Sequence, residues 1–379
     1  MKITAFLGLV LVIAFGMSGL AAAKGLPKTF AWTAYGTTSS GYASSVNIGN
    51  ALAAEGYKLR VMPGKNDISR MTPVKTGQAQ FSAMGVGSYL AQEGVFDFGA
   101  PKWGPQPVRL LMMCWGDHNT ANVACAKDAN IKTAADLKGK RLTYVIGSPA
   151  LNQAMAGFLA FGGLTWEDVI MVKVPGWKQS VQAVIDGNAD GVIASTNSSM
   201  LYQLAGSPRG LSFFPAPPED KAAWKRLKAH APWFAPHVAT VGVGLSKEKP
   251  HVGGSYGYPI LITYERMDDQ AVYELMKLMH TLHPKYVDGH NSGPGWAMDR
   301  QVFDWIVPYH DGAVKYLKEI GVWNDKFQKN NEDLIKRQGV LAAAWKKTKA
   351  EKKGGKDFLE FWMKKRKEAL KTAGMDPIW

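Results

Sequence analysis

Cysteine is nearly absent from this chain: 379 residues carry two, Cys114 and Cys125. No Cys-x-x-Cys motif is present, so neither redox catalysis nor a zinc knuckle is supported. Charged residues make up 20% against 46% apolar ones, which excludes a disordered polyelectrolyte. The 40 Gly and 20 Pro follow no Gly-X-Y period, which excludes collagen. A Gly-x-Ser-x-Gly elbow, a Walker loop and a Gly-x-Gly-x-x-Gly turn after a strand are all missing. His280-x-x-His283, with His290 and His310, is the nearest approach to a metal set. It lacks the glutamate of the zincin pattern, so surface or capping histidines are expected and no metal.

Long apolar runs are confined to the beginning. Met1-Lys2 is followed by an apolar stretch to Phe15 and by small residues closing on Ala21-Ala22-Ala23. A positive end, a short apolar run and an Ala-x-Ala site describe a secretory signal peptide over 1–23, cleaved after Ala23. The run is shorter than the roughly 20 residues a spanning helix needs. The chain from residue 24 onward is therefore expected to be exported and periplasmic. In an oxidising compartment Cys114 and Cys125 become candidates for a disulfide. They flank the polar turn Gly116–Thr120 between the apolar runs 108–113 and 123–126. A hairpin there would set the two thiols opposite each other, with two buried free thiols as the alternative.

Positive charge is in excess, 45 Lys+Arg against 31 Asp+Glu, for a net of +14. Its distribution is uneven. Residues 345–372 hold eleven Lys/Arg against four Asp/Glu, a net of +7, so half the excess lies in one C-terminal segment. Aromatics such as Trp345, Phe358, Phe361 and Trp362 punctuate that segment, and Gly354-Gly355 interrupts it. The pattern predicts a basic helical extension over 324–379. Its aromatics are expected to pack on the body, and its lysines to be solvated or to meet an acidic membrane partner or anionic lipid headgroups. Export argues against nucleic acid.

Between these ends, short apolar runs alternate with amphipathic helices. Strands are expected at 29–35, 57–62 and 80–84, with helices at 42–55 and 67–76. The rhythm begins again after Cys125, with strands at 141–146, 169–174 and 191–194 and helices at 150–161, 178–186 and 198–205. Strands separated by helices of this length imply parallel βαβ units. The expected fold is α/β with two lobes and a ligand cleft between them. Lobe 1 would run over 24–124 and lobe 2 over 125–240, with a return to lobe 1 over 241–323.

A strand feeding a Gly/Ser/Thr turn at a helix N-terminus can hold an anion, because the first helical N–H groups lack intrahelical partners and the helix dipole favours negative charge. This chain has such turns at Gly36-Thr37-Thr38-Ser39-Ser40-Gly41, running into Tyr42, and at Gly147-Ser148. Each also reads as a plain helix cap. Further polar groups follow other strands: Asn66, Gly85, and Thr196-Asn197-Ser198, with Asn152 early in the second-lobe helix. Asn66 and Asn197 both donate and accept, which suits a small polar ligand. Trp177, after Pro175-Gly176, is placed to close over it, or to pack as a half-buried aromatic. No one of Arg70, Arg109, Arg141, Arg209, Arg266 and Arg300 can be singled out as a carboxylate partner.

The run Trp32-Thr33-Ala34-Tyr35-Gly36-Thr37, then Gly41-Tyr42 and Gly49-Asn50-Ala51-Leu52-Ala53, resembles the start of the TAXI family of TRAP-transporter solute receptors. Val61–Asn66, Lys75–Gln80, Leu137–Arg141 with Gly147-Ser148, and Asp186–Gly191 resemble later family segments in the same order. Thr38-Ser39-Ser40 stands where the family is often glycine-rich, and Pro149-Ala150 where it often has Gly-Thr. The resemblance implies a type II periplasmic-binding fold that closes by hinge bending. It implies a small carboxylate or amino acid as ligand, no cofactor, and partner permease subunits driven by an ion gradient. The receptor of an ATP-driven importer is the alternative on the same fold. An exported enzyme and an adhesive surface protein are the more distant ones.

Overall fold

The computed structural model describes residues 25–116 and 121–379. The expected signal peptide and most of the expected turn, residues 117–120, lie outside the described residues. The first lobe begins β1 (Thr29–Ala34), α1 (Ser40–Ala54), β2 (Lys58–Pro63), α2 (Asp67–Lys75), β3 (Phe81–Met84), α3 (Gly87–Glu93) and β4 (Val108–Met113). The second contains β5 (Ala121–Ala126), β6 (Arg141–Val145), α4 (Pro149–Phe161), β7 (Ile170–Val174), α5 (Trp177–Ile185) and β8 (Gly191–Ser195). It continues through α6 (Ser199–Gly206), β9 (Leu211–Phe213), α7 (Lys221–His230), β10 (Ala235–Ala239) and β11 (His251–Ser255). The chain then returns through β12 (Ile260–Tyr264), α8 (Asp269–Thr281), the short α9 (His283–Tyr286) and α10 (Asp311–Glu319). It ends in a helical hairpin, α11 (Asp325–Glu351) and α12 (Phe358–Thr372).

Two five-stranded sheets carry these elements, ordered β2-β1-β3-β12-β4 and β7-β6-β8-β5-β9. The orders are equivalent. In each, a parallel βαβαβ set is followed by one antiparallel strand that has come across from the other side of the molecule: β12 against β3 and β4, β5 against β8 and β9. The start of each set is fastened alike. The Gln80 side chain accepts the Ala31 N–H at 2.8 Å, and the Asp190 carboxylate accepts the Arg141 N–H at 3.0 Å. Burial alone would raise the Asp190 pKa, yet Arg141 and Arg209 hold it down at about 2. β4 and β12 are buried at every position because helices or strand crossings cover both faces.

The expected elements are present within a few residues, and the fold is the two-lobed α/β one. Two expectations are corrected. The runs around Cys114 and Cys125 are strands but form no hairpin: β4 pairs with β12 (Ile260 opposite Met113), and β5 with β8 (Cys125 opposite Gly191). The two cysteines therefore sit at different sheets, both free and buried, with no disulfide. Cys114 Sγ donates to the Ser292 carbonyl at 3.2 Å in the first lobe. The return crossing also falls later than residue 241. β10 and β11 pair antiparallel with each other, and His251 reaches Asn122 on β5, so the chain leaves the second lobe after Ser255.

The C-terminal hairpin packs on the first lobe, as its aromatics suggested. Glu93, at the end of α3, is wholly buried between Arg337 of α11 (2.7 Å) and Arg366 of α12. Burial would raise the Glu93 pKa, but the two guanidiniums reverse this and hold it below the ordinary range. The Trp362 indole donates to the Gly94 carbonyl at 2.6 Å and meets Trp345 edge to face at 4.8 Å. Among the described residues no helix is long and apolar enough to cross a membrane.

Candidate functional site

A cavity of about 780 Å³, counting space open to solvent, lies where the C-terminal ends of the parallel strands of both lobes meet. From the first lobe, Tyr35, Gly36 and Ser39 line it after β1, Lys65, Asp67 and Arg70 after β2, and Gly85 and Val86 after β3. The second lobe contributes Ser148, Ala150 and Leu151 after β6, Trp177 after β7, and Ser195 and Ser198 after β8. Ser255, at the end of β11, and Tyr256 and Tyr258, on the crossing back to β12, complete the wall.

Among the described residues Arg70 is the one guanidinium of the wall. Asn66 caps α2, its side chain accepting the Ser69 N–H at 2.8 Å, and this sets Asp67 in the first turn with Arg70 three residues on. Arg70 and Asp67 form an ion pair that is almost wholly buried. The Arg70 guanidinium lies 4.0 Å from the Tyr35 ring centroid, and its Nη1 reaches the Gly64 carbonyl only at 3.4 Å. Its Nε is buried and has no hydrogen-bond partner among the described residues. One donor of a fixed cation in the cavity wall thus remains unpaired.

Aromatic rings line much of the interior beside Arg70. Tyr35 and Tyr258 lie 4.8 Å apart, and Tyr256 meets Tyr258 at 6.4 Å, edge to face. Tyr35 passes so close to Gly85 that a Cβ there would stand 2.6 Å from its hydroxyl. Burial pushes the pKa of all three tyrosines up, Tyr258 to about 12, so each is a neutral hydrogen-bonding group at ordinary pH. The Trp177 indole is fixed by a 3.0 Å bond from Nε1 to the Ile193 carbonyl. Among the described residues of the wall, Lys65 and Arg70 against Asp67 leave one net positive charge.

The lobes touch along one edge of this cavity. Asp67 Oδ2 accepts the Ala150 N–H at 2.9 Å, and Asn66 Nδ2 donates to the Ile146 carbonyl at 3.0 Å. The Ile68 N–H donates to the Gly147 carbonyl at 3.2 Å, and the Ser199 hydroxyl to the Thr38 carbonyl at 2.6 Å. Gly147 has φ +72°, and a Cβ there would meet Asn66 Nδ2 at 2.8 Å, so only glycine fits this seam. The arrangement is a closed one.

Of the residues singled out in the sequence, Gly36, Ser39, Gly85, Ser148, Trp177 and Ser198 lie in the cavity wall. Thr37, Thr38, Gly41, Tyr42, Asn66, Gly147, Asn152, Thr196 and Asn197 do not. Asn66 and Gly147 belong to the seam instead. Asn152 binds both the N–H and the carbonyl of Val145, fastening α4 to β6. Thr196 holds the Val241 carbonyl at 3.0 Å, and Asn197 accepts the Ser195 hydroxyl at 2.8 Å. The anion-holding helix ends are also largely spoken for. Ser39 caps α1 by accepting the Tyr42 N–H at 3.2 Å, and the α4 terminus receives Asp67 from the opposite lobe. Among the described residues no three His, Cys, Asp or Glu side chains are grouped to hold a metal ion. His280 faces the Tyr316 hydroxyl at 2.8 Å and His283 the Gly293 carbonyl at 3.0 Å.

Tyr35, Asp67, Tyr256 and Tyr258 were not foreseen as site residues, and Arg70 was one of six arginines that the sequence did not distinguish. The signals available were an Asp-x-x-Arg pair in the first turns of a helix after a strand, and Tyr-x-Tyr-Pro at a strand entry.

Two parallel βαβαβ lobes exchanging antiparallel strands around a central cleft define the periplasmic solute-binding fold of type II. The chain belongs to the NMT1-like family, whose model matches residues 33–321. Solved structures similar to it include the alkanesulfonate-binding protein SsuA from Xanthomonas axonopodis pv. citri bound to MOPS (15% identity, 88% of this chain and 96% of that one, TM-score 0.46). Others are an ABC transporter periplasmic binding protein from Brucella ovis with glutathione bound (11%, 90% and 87%, 0.44) and an ancestral arginine-binding protein bound to arginine (15%, 72% and 99%, 0.42).

Proposed function

We propose that this protein is an exported solute receptor that captures a small organic anion with an apolar or aromatic body and delivers it to a membrane permease. The observation that carries this reading is Arg70: a buried guanidinium in the interlobe cavity, stacked on Tyr35, with an Nε donor unpaired. The ligand's anionic group would lie against Arg70 and the serine hydroxyls, and its body between the tyrosines and Trp177. Such a ligand touches both lobes, so it binds the closed state better than the open one and shifts the population toward closure. The permease would recognise the closed form.

The motifs running from Trp32 to Gly191 support a TRAP-type partner, with transport driven by an ion gradient. Membership of the NMT1-like family fits the receptor of an ATP-driven importer equally well. Uptake that collapses with the ion gradient at constant ATP would favour the first, and the reverse dependence the second.

The test is a thermal-shift screen against aromatic and aliphatic carboxylates, amino acids and alkanesulfonates. A ligand held only by the folded state adds about 2.7 kcal/mol of stability at a hundredfold excess over its Kd. A shift confined to anions supports the reading. A folded chain that no anion stabilises contradicts it.

A further inference from the structure

We propose that the outer face of the C-terminal helical hairpin is a docking surface for an anionic phospholipid bilayer. The hairpin lies beyond the family-matched residues 33–321. It is not a loose tail. On α12 the buried positions are Phe358, Trp362, Arg366 and Leu370, spaced by four, so one stripe of the helix is turned onto the body. Glu93 fixes that stripe through Arg366, and fixes α11 through Arg337.

The opposite face carries the charge. Lys364, Lys367 and Lys371 recur at spacings of three and four on α12 and are exposed. Lys346 and Lys347, at the end of α11, and Lys353, in the connection, are exposed as well. The nearby acids are partly spent inside the hairpin, where Glu351 pairs with Lys365 at 2.7 Å and Asp357 with Lys352, while Glu360 and Glu368 of α12 are exposed among the lysines and reduce the excess of the six to four positive charges. The six lysines named here have no ion-pair partner among the described residues.

The residue type selects the partner. Residues 345–372 contain one arginine, Arg366, and it is buried. The outward cations are therefore hydrated, flexible lysine ammoniums, without the planar forks that recognise individual carboxylates bidentately. A diffuse excess of positive charge suits a diffuse negative surface, which is what anionic headgroups present. The exposed positions of α12 are mainly charged, with Leu359 the one large apolar side chain exposed there among the described residues, so attachment would be electrostatic and reversible rather than by an inserted apolar stripe. Docking by this face would hold the receptor close to a membrane, independently of what the cavity contains.

The experiment is co-sedimentation of the purified full chain with vesicles of phosphatidylglycerol and phosphatidylcholine in equal parts, and with phosphatidylcholine alone. Binding is expected to the first and not the second, and to fade as salt shortens the Debye length. Each lysine near such a surface contributes about a factor of five in affinity, so Lys364→Gln with Lys367→Gln and Lys371→Gln should weaken binding on the order of a hundredfold with the melting temperature unchanged. If that variant misfolds, Lys346→Gln with Lys347→Gln and Lys353→Gln should show a loss of the same order. Equal binding to both vesicle types, a folded variant that binds undiminished, or no binding to anionic vesicles would each overturn the proposal. The last would point instead to an acidic protein.

Discussion

The Asp67 carboxylate of the first lobe accepts the backbone N–H of Ala150 in the second at 2.9 Å, while it remains paired with Arg70. One side chain thereby caps the helix end that the sequence offered as an anion site, neutralises part of the cavity and ties the two lobes together. Its pKa is raised, because burial outweighs the opposing pull of Arg70, the Ala150 N–H and the Ser148 hydroxyl.

Removing that carboxylate should open the molecule. In Asp67→Ala the Ala150 N–H loses its acceptor and Arg70 its counter-ion, so the unliganded chain is expected to scatter X-rays as a larger particle than wild type. An unchanged radius of gyration would show that Asn66 and Ile68 hold the seam without it.

The cysteines should behave as two sequestered thiols. Burial pushes both pKa values well above the ordinary thiol range. Alkylation without reductant is expected to add nothing to the folded chain and two groups to the denatured one. A denatured, unreduced chain that takes up none would restore the disulfide.

His251 should make the second lobe sensitive to acid. It is buried, its Nε2 is 2.5 Å from Asn122 Nδ2, and burial lowers its pKa to about 4. The unfolded chain therefore binds the proton more readily between about pH 6.5 and 4, and stability falls as pH drops through that window. The loss should reach up to about 3 kcal/mol at the acid end. His251→Gln should flatten the dependence in urea melts at successive pH values, and an unaltered slope would remove His251 as its cause.

Glu93 should be worth far more than a surface acid. Glu93→Gln leaves Arg366 buried without its charge partner, and breaking such a pair costs about 3–5 kcal/mol. Chemical denaturation measures this directly. A cost below about 0.5 kcal/mol would mean that the hairpin packs without the ion triad.

How much of this was legible in the sequence depends on range. The alternation of apolar strands and amphipathic helices is local, so the two βαβ sets, a helix cap in the Gly36–Gly41 turn and the break at Gly354-Gly355 could be read directly, whereas Asn66 was read as a ligand group and is a cap. The false hairpin at Cys114 and Cys125 arose because two apolar strands joined by a polar turn look the same whether they pair or part. Here each is claimed by a distant strand: Met113 by Ile260, and Cys125 by Gly191. The site was half legible for the same reason. Gly36, Ser39, Gly85, Ser148, Trp177 and Ser198 follow strand ends and were found by that rule. Arg70 and Tyr258 reach the cavity from a helix flank and a crossing segment, which only the packed lobes bring together.

The most direct test of the central claim is a calorimetric titration of the purified chain with organic anions such as benzoate, phenylacetate, glutamate and an alkanesulfonate, repeated on a folded Arg70→Met variant. Saturable binding of at least one anion is expected, at one site per chain, with affinity falling at least about thirtyfold in the variant, the loss that follows when a charge-assisted bond of about 2 kcal/mol or more disappears. A folded wild-type chain that binds none of them, or one whose binding ignores Arg70, would contradict the claim.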